Sequence, residues 1–333
     1  MLIPYVSDPS RKRVAAFGSA LVDLCLLERE EFLTATGAQK GGMILSDYTS
    51  IKGLLDKASS TPIIVPGGSA CNTIVGIGKL GGSVRFMGKR GNDELGVLFE
   101  KGLIKNNVEP ILFTCETPTG HVLSIITPDA QRSMFTFLGA SAETSPAEIL
   151  HEHFKDSAVA HFEGYLVSNP EVMLAALDAA KTAGAMISLD LASYTVVNSS
   201  KELFEKIISE YVDILIANED EACAFAGCRQ EEQALEYLST KANLAVMKLG
   251  KRGSIVAHEG VNMQIPPHGS GFAIDTTGAG DLWAAGFLYG LVNGFTLEKC
   301  GALGSACGFE VCQNIGASIS DEGWQRIKTQ FQL

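Results

Sequence analysis

Short runs of apolar, often β-branched residues recur along this chain and alternate with stretches of helical pattern. The runs are Val14–Phe17, Ile63–Val65, Val84–Met87, Val159–Phe162, Met186–Leu189, Ile214–Ala217, Ala245–Leu249 and Ser254–Ala257. The stretches between them include Glu171–Ala183, Ser200–Tyr211 and Glu231–Ala242. A strand that is apolar at nearly every position is buried on both faces, as in a parallel sheet covered by helices on both sides. The alternation therefore predicts an α/β fold, a three-layer, doubly wound, mainly parallel sheet. Such sheets bind ligands beyond the carboxyl ends of their strands. Polar residues stand where three of the runs stop: Asp190, Asn218 and Lys248.

Two segments break this rhythm. Residues 31–61 are mixed and contain Gly41-Gly42. Residues 111–138 read as a hairpin, Val122–Ile126 and Met134–Leu138 joined through a Pro128-Asp129 turn. Segments 31–61 and 111–138 are expected to build one small β-rich lid over the substrate site. Segments 1–30, 62–110 and 139–333 are then the α/β nucleotide-binding and catalytic domain. An uncovered lid edge offers a pairing surface, so the expected state is a monomer or a homodimer through the lid.

The formal net charge is −12. A strongly acidic surface repels phosphate backbones, which argues against nucleic-acid or anionic-membrane partners. The opening apolar run, Met1–Val6, is too short for a leader peptide, and no stretch approaches the about 20 apolar residues of a membrane span. The eight cysteines form no Cys-x-x-Cys pair, so neither zinc nor dithiol chemistry is suggested. Together these features point to a reducing, cytoplasmic setting.

The chemistry concentrates in Asp275-Thr276-Thr277-Gly278-Ala279-Gly280-Asp281, which runs into the apolar stretch Leu282–Leu288. The apolar part is a buried helix, and the glycine-rich part is the turn at its N-terminus. There the amides of Gly278, Ala279 and Gly280 can converge on one point with the helix dipole behind them. That is an anion hole for a phosphoryl group in transfer. Asp281 stands at the helix start, where its carboxylate is expected to stay ionised and to accept the proton of an attacking hydroxyl. Phosphoryl transfer is mostly positioning and charge neutralisation, so a modest base suffices.

With these residues the chain resembles the ribokinase-like, or PfkB, family of carbohydrate and nucleoside kinases. The heptad ending at Asp281 resembles the family's C-terminal signature. Gly67-Gly68-Ser69-Ala70-Cys71-Asn72 resembles its N-terminal glycine pair, Asn218-Glu219-Asp220-Glu221 its Asn-x-x-Glu motif, and Lys248–Gly253 its nucleotide-site loop. The resemblance implies an ATP- and Mg²⁺-dependent kinase acting on a primary hydroxyl of a small sugar or nucleoside. Asp23, Gly67, Gly68 and Asn72 would hold the acceptor, with Gly67-Gly68 also hinging the lid. Asn218 and Glu221 would hold Mg²⁺ through its waters. Asn218, Lys248, Gly250, Gly253, Thr277 and Asn314 would line the nucleotide site. Asp275, Thr277, Gly316 and Ser320 fall where some relatives bind a monovalent cation such as K⁺.

One departure bears on the acceptor. Many sugar kinases of this family carry Asp-x-Asn-x-Arg after the strand that here ends at Asp190, whereas this chain reads Asp190-Leu191-Ala192-Ser193-Tyr194. That disfavours a phosphorylated or strongly polar sugar. The form of the glycine-pair motif leans towards adenosine-kinase-like relatives, with Phe135 and Phe137 as aromatic rings that either stack on a nucleobase or face the lid's own small core. Rival readings are a donor other than ATP and a catalytically silent nucleotide-binding regulator. Gly76-x-Gly78-x-x-Gly81 matches a dinucleotide pattern but lies at the end of a helical stretch rather than between strand and helix. His151-Glu152-His153 places its histidines two apart, on different sides of any helix, and is read as surface.

Overall fold

The protein is described from a computed structural model covering residues 10–38, 40–129 and 131–333. The opening Met1–Val6 run lies outside those residues. Fourteen strands are described, in two sheets. In chain order they are β1 (Arg13–Phe17), β2 (Leu21–Leu27), β3 (Met43–Leu45), β4 (Ile63–Gly67) and β5 (Val84–Gly91). Then follow β6 (Val108–Cys115), β7 (Thr119–Ile126), β8 (Arg132–Gly139), β9 (Ser157–Glu163) and β10 (Met186–Asp190). The last four are β11 (Ile214–Asn218), β12 (Leu244–Lys248), β13 (Ser254–His258) and β14 (Val261–Ile265).

The large sheet has the order β14-β13-β12-β11-β10-β9-β1-β5-β6, parallel from β12 to β6. Its two last strands, β13 and β14, are antiparallel. Only five residues separate β12 from β13, too few for a crossover helix, so β13 must return as a hairpin. Alternate side chains of the parallel strands feed two separate cores. Val14, Ala16, Ile216 and Val246 pack with Ile74, Leu282 and Phe287 on one face; Ala15, Phe17, Ala160 and Leu189 pack with Leu177, Phe204 and Phe225 on the other. This is the three-layer α/β arrangement that continuous apolar strands require.

The small sheet runs β3-β8-β7-β2-β4. The division expected from the sequence is corrected here. Strands β2 and β4, placed with the main body, lie in the small sheet, and the second half of β6, placed in the lid, lies at the edge of the large one. The reason for β2 is geometric: it follows β1 after three residues, and parallel neighbours need a crossover of a dozen or more. Strand β6 follows β5 through the helix Glu94–Lys105 and so stays parallel to it. The segment 31–61 is also more helical than expected, with helices Glu30–Thr36 and Tyr48–Leu55 beside the short β3. The edge strands β3 and β4 leave Met43, Ile44, Leu45, Ile63 and Ile64 exposed.

The dinucleotide-like glycines have a packing explanation. Gly76 and Gly78 lie inside the helix Ser69–Leu80, and Gly81 caps its end. A methyl group on Gly76 would meet the Ala285 methyl at 2.6 Å, so this position lets the helix approach the helix Ala279–Val292 closely. No helix among the described residues is long and apolar enough to cross a membrane.

Candidate active site

Four adjacent parallel strands end in Glu163, Asp190, Asn218 and Lys248. The registers Glu163↔Asp190 and Asn218↔Lys248 align these ends in two pairs, the second two residues further along because Asp190 pairs with Ile216. The helix Ala279–Val292 begins beside them, with Gly278 as its N-cap at φ 72°. That value suits glycine, and a methyl group there would also stand 2.5 Å from the Ala317 methyl. Of the three expected anion-hole amides, Ala279 N–H closes a turn onto the Thr276 carbonyl at 3.2 Å. The N–H groups of Gly278, Gly280 and Asp281 carry no protein hydrogen bond among the described residues. The free donors are therefore shifted by one position: Asp281's own amide joins the two glycines.

Asp281 is fixed from 200 residues away. Ser69 Oγ donates to its Oδ1 at 2.7 Å and Asn72 Nδ2 to its Oδ2 at 2.9 Å, while Thr73 Oγ1 donates to its backbone carbonyl. The sequence reading had Asp281 readily ionised at a helix start. Burial instead raises its pKa; the Asn72 and Ser69 hydrogen bonds and the Lys248 charge pull it part of the way back. Asn72, expected on the acceptor, thus directs its amide to Asp281.

Lys248 supplies the local positive charge that an acidic protein needs here. Its Nζ donates to Asp190 Oδ2 at 2.7 Å, with both side chains largely buried. A methyl group placed on Gly280 would come within 2.9 Å of that Nζ, so the ammonium lies against the turn. Burial alone would lower the Lys248 pKa, but the carboxylates of Asp190 and Glu221 outweigh it and hold the amine charged. Asn218 and Glu221 form a reciprocal cap: Asn218 N and Nδ2 donate to Glu221 at 2.8 and 2.7 Å, and Glu221 N donates to Asn218 Oδ1 at 2.8 Å. Burial and then the Asp190 charge raise the Glu221 pKa.

Asp23 faces the same cleft from β2. Its carboxyl is pushed up to about 6 by burial, against the pull of the Arg132 guanidinium and with the push of Asp281. It rests on Gly67, where a methyl group would stand 2.4 Å from its Cγ. Gly68 has φ 93°, and a methyl group there would meet the Ser19 carbonyl oxygen at 2.5 Å. Gly67→Ala is therefore expected to swing Asp23 away and raise the acceptor KM at least about ten-fold, the cost of one hydrogen bond to a charged group. The ATP KM should change less than about two-fold; steady-state kinetics with each substrate varied checks both.

The remaining expected residues divide. Asp275, buried, accepts from Thr277 N and Oγ1 and from Gly316 N, so three of the four monovalent-cation candidates converge. Ser320 does not join them: its hydroxyl caps the last helix by accepting from Gly323 N at 3.1 Å. Asn314 Nδ2 donates to the Glu310 carbonyl at the end of the helix Leu297–Val311. Gly250 and Gly253 both turn with positive φ between β12 and β13. Phe135 and Phe137 lie on the face of the small sheet opposite Asp23. Phe135 is core and Phe137 packs on His121 and Tyr48, so neither ring reaches the cleft.

Three residues were given no role beforehand. Glu163, buried, accepts from Ser19 N and Ala70 N, both at 2.9 Å, and so clips the β1–β2 turn to the start of the helix Ser69–Leu80. It ends an apolar strand, as Asp190 does, and the same rule would have found it. Ser69 follows the glycine pair directly. Arg132 on β8 has no ion pair among the described residues, and its charge reaches Asp23, Cys25 and Tyr165. Its only signal is a cation at the first position of a strand.

A carboxylate of raised pKa, free helix-terminal amides and a largely buried ammonium thus lie together at the carboxyl ends of the strands. Residues 11–323 match the family model described as pfkB family carbohydrate kinase. The chain belongs to the pfkB family. This pfkB kinase is similar over 96% of its length to an adenosine kinase of Sinorhizobium meliloti, at 30% identity, TM-score 0.90 and 99% of that chain. It is equally similar to a probable sugar kinase of Rhizobium etli, at 29% identity, TM-score 0.91, and 97% and 99% coverage. A nucleoside kinase of Methanocaldococcus jannaschii is 30% identical over 274 residues, 80% of this chain and 85% of that protein.

Proposed function

We propose that this pfkB kinase transfers the γ-phosphoryl group of ATP in line to a primary hydroxyl of a nucleoside, with a small sugar as the alternative acceptor. The observation that carries the reading is Asp281: a carboxylate of raised pKa, held by Ser69 and Asn72 beside free amides and Lys248. A base whose pKa lies nearer neutrality accepts a hydroxyl proton better than an ordinary carboxylate. The amides of Gly278, Gly280 and Asp281 and the Lys248 ammonium stabilise the charge on the phosphoryl group as it moves. Arg132 brings positive charge to the acceptor end of the path. Closing the small sheet over the cleft excludes water, the competing acceptor.

Mg²⁺ fits the donor set through its waters. Asn218 and Glu221 are already bonded to each other, so they would hold a hydrated ion rather than ligate it directly. The excess of buried carboxylates around a single lysine suits an added cation, which would neutralise the phosphate charge. The nucleoside reading is favoured by the apolar side chains Val122, Cys25 and Met134 on the Asp23 face of the small sheet and by the missing Asn and Arg after Asp190. Its test is turnover of a panel of nucleosides and free sugars with ATP, ADP or NAD offered separately. ATP-dependent appearance of a nucleoside 5′-monophosphate is the expected result; binding of ATP with no transfer to any acceptor would favour a silent regulator.

Asp23 makes the acceptor side pH-dependent. Its folded-state pKa of about 6 stands above the ordinary 3.8, so the folded protein binds this proton more tightly than the unfolded chain. Stability of the unliganded protein should therefore rise as pH falls through about 6 and level off below the ordinary value. Gripping hydroxyls needs the ionised form, so acceptor KM should rise over the same interval. Melting temperature and KM measured against pH, with Asp23→Asn as the variant that loses this residue's share of both slopes, check this.

A further inference from the structure

We infer that the Ser124 hydroxyl recognises the acceptor, by hydrogen-bonding a heteroatom on the edge of a nucleobase whose ribose is held at Asp23. The inference rests on the nucleoside reading given above and names the group that selects the base.

Ser124 is fully buried on β7, and its Oγ has no hydrogen-bond partner among the described residues. Buried hydroxyls are nearly always paired, because an unpaired one loses its water and gains nothing. A partner that arrives with the substrate removes that cost. The register Cys25↔Ser124↔Met134, one pleat beyond Asp23↔Val122↔Thr136, puts Ser124 on the same face as Asp23. That face looks onto the main body: Cys25 Sγ stands 3.8 Å from where a methyl group on Gly316 would lie.

The surroundings specify the ligand. Val122, Cys25, Met134 and, further out, Ile63 and Met43 share this face and give an apolar bed for a flat ring. Ser124 is two residues along and one strand across from Asp23, a separation of about 8 Å from strand geometry. A single pentose or hexose gripped at Asp23 ends short of that point. A nucleoside adds a planar base that reaches it. A neutral hydroxyl, able to donate or accept, suits an uncharged ring nitrogen or exocyclic group.

The test compares the wild type with Ser124→Ala on adenosine, its 1-, 3- and 7-deaza analogues, its analogue lacking the 6-amino group, and fructose. The variant should raise the adenosine KM about ten-fold, the loss of one hydrogen bond, with kcat and the ATP KM within about two-fold. One analogue, lacking the atom that Ser124 meets, should show the raised KM in the wild type and no further loss in the variant. The melting temperature of the unliganded variant should equal or exceed that of the wild type, because an unpaired hydroxyl has been removed; a purely structural serine would lower it. An unchanged adenosine KM in the variant, or a rise equal for every analogue, overturns the inference and leaves the nucleoside reading standing. Wild-type turnover of fructose with no nucleoside turnover overturns both.

Discussion

Asp281→Asn lowers kcat by about 10²–10⁴ while the ATP KM stays within about two-fold. The asparagine is isosteric and keeps an oxygen for Ser69, and the Asn72 amide can turn to meet the new nitrogen. The fold therefore persists. Stability should hold or rise, because one of several crowded buried carboxylates has been neutralised; Asp190 and Asp281 each disfavour the charged form of Glu221. An active site kept poised at the expense of stability behaves in this way. Loss of turnover with an unchanged or higher melting temperature separates a base from a structural residue, which would lose both together. Rates from a coupled assay and thermal unfolding of the same preparation make the comparison.

Lys248→Met should destabilise the protein by about 3–5 kcal/mol, because removal of one partner strands a buried charge. Here the stranded carboxylate is Asp190, with Glu221 and Asp281 near enough to feel the loss. Turnover should fall as well, because the ammonium beside Gly280 faces the transferring phosphoryl group. The double variant Lys248→Met/Asp190→Asn divides the two effects. It removes the charge along with its partner and should recover most of the stability, but not the rate. Urea unfolding midpoints report the first and kcat the second. Recovery of both would mean that Lys248 only neutralises Asp190.

Much of the fold was legible because burial on both faces leaves a sequence mark. Runs such as Ile214–Ala217 have no polar position to hide, and each marks a strand. Asp190, Asn218 and Lys248 stood out because a polar side chain at the end of an apolar run needs a reason. Strand β2 was not legible, since Leu21–Leu27 mixes Asp23 among apolar neighbours and its sheet depends on a three-residue turn. The raised proton affinity of Asp281 was not legible for a different reason. Its helix position is local, but its surroundings are not: its hydrogen-bond partners Ser69 and Asn72 stand 212 and 209 residues earlier in the chain. The role of Asn72 as a partner of the base was hidden by the same distance. Of their two readings Phe135 and Phe137 take the small sheet's own core, because strand register, not residue type, decides which face a side chain takes.

The most direct test of the central claim is the single-turnover rate of γ-phosphoryl transfer to the acceptor as a function of pH, in the wild type and in Asp281→Asn. The wild-type rate should fall as pH drops through a value above the ordinary aspartate range, reflecting a base whose proton affinity is raised by burial. The variant should be slow at every pH and lack that limb. A variant that transfers at the wild-type rate, or keeps the wild-type pH profile, would contradict the assignment of Asp281 as the group that takes the proton.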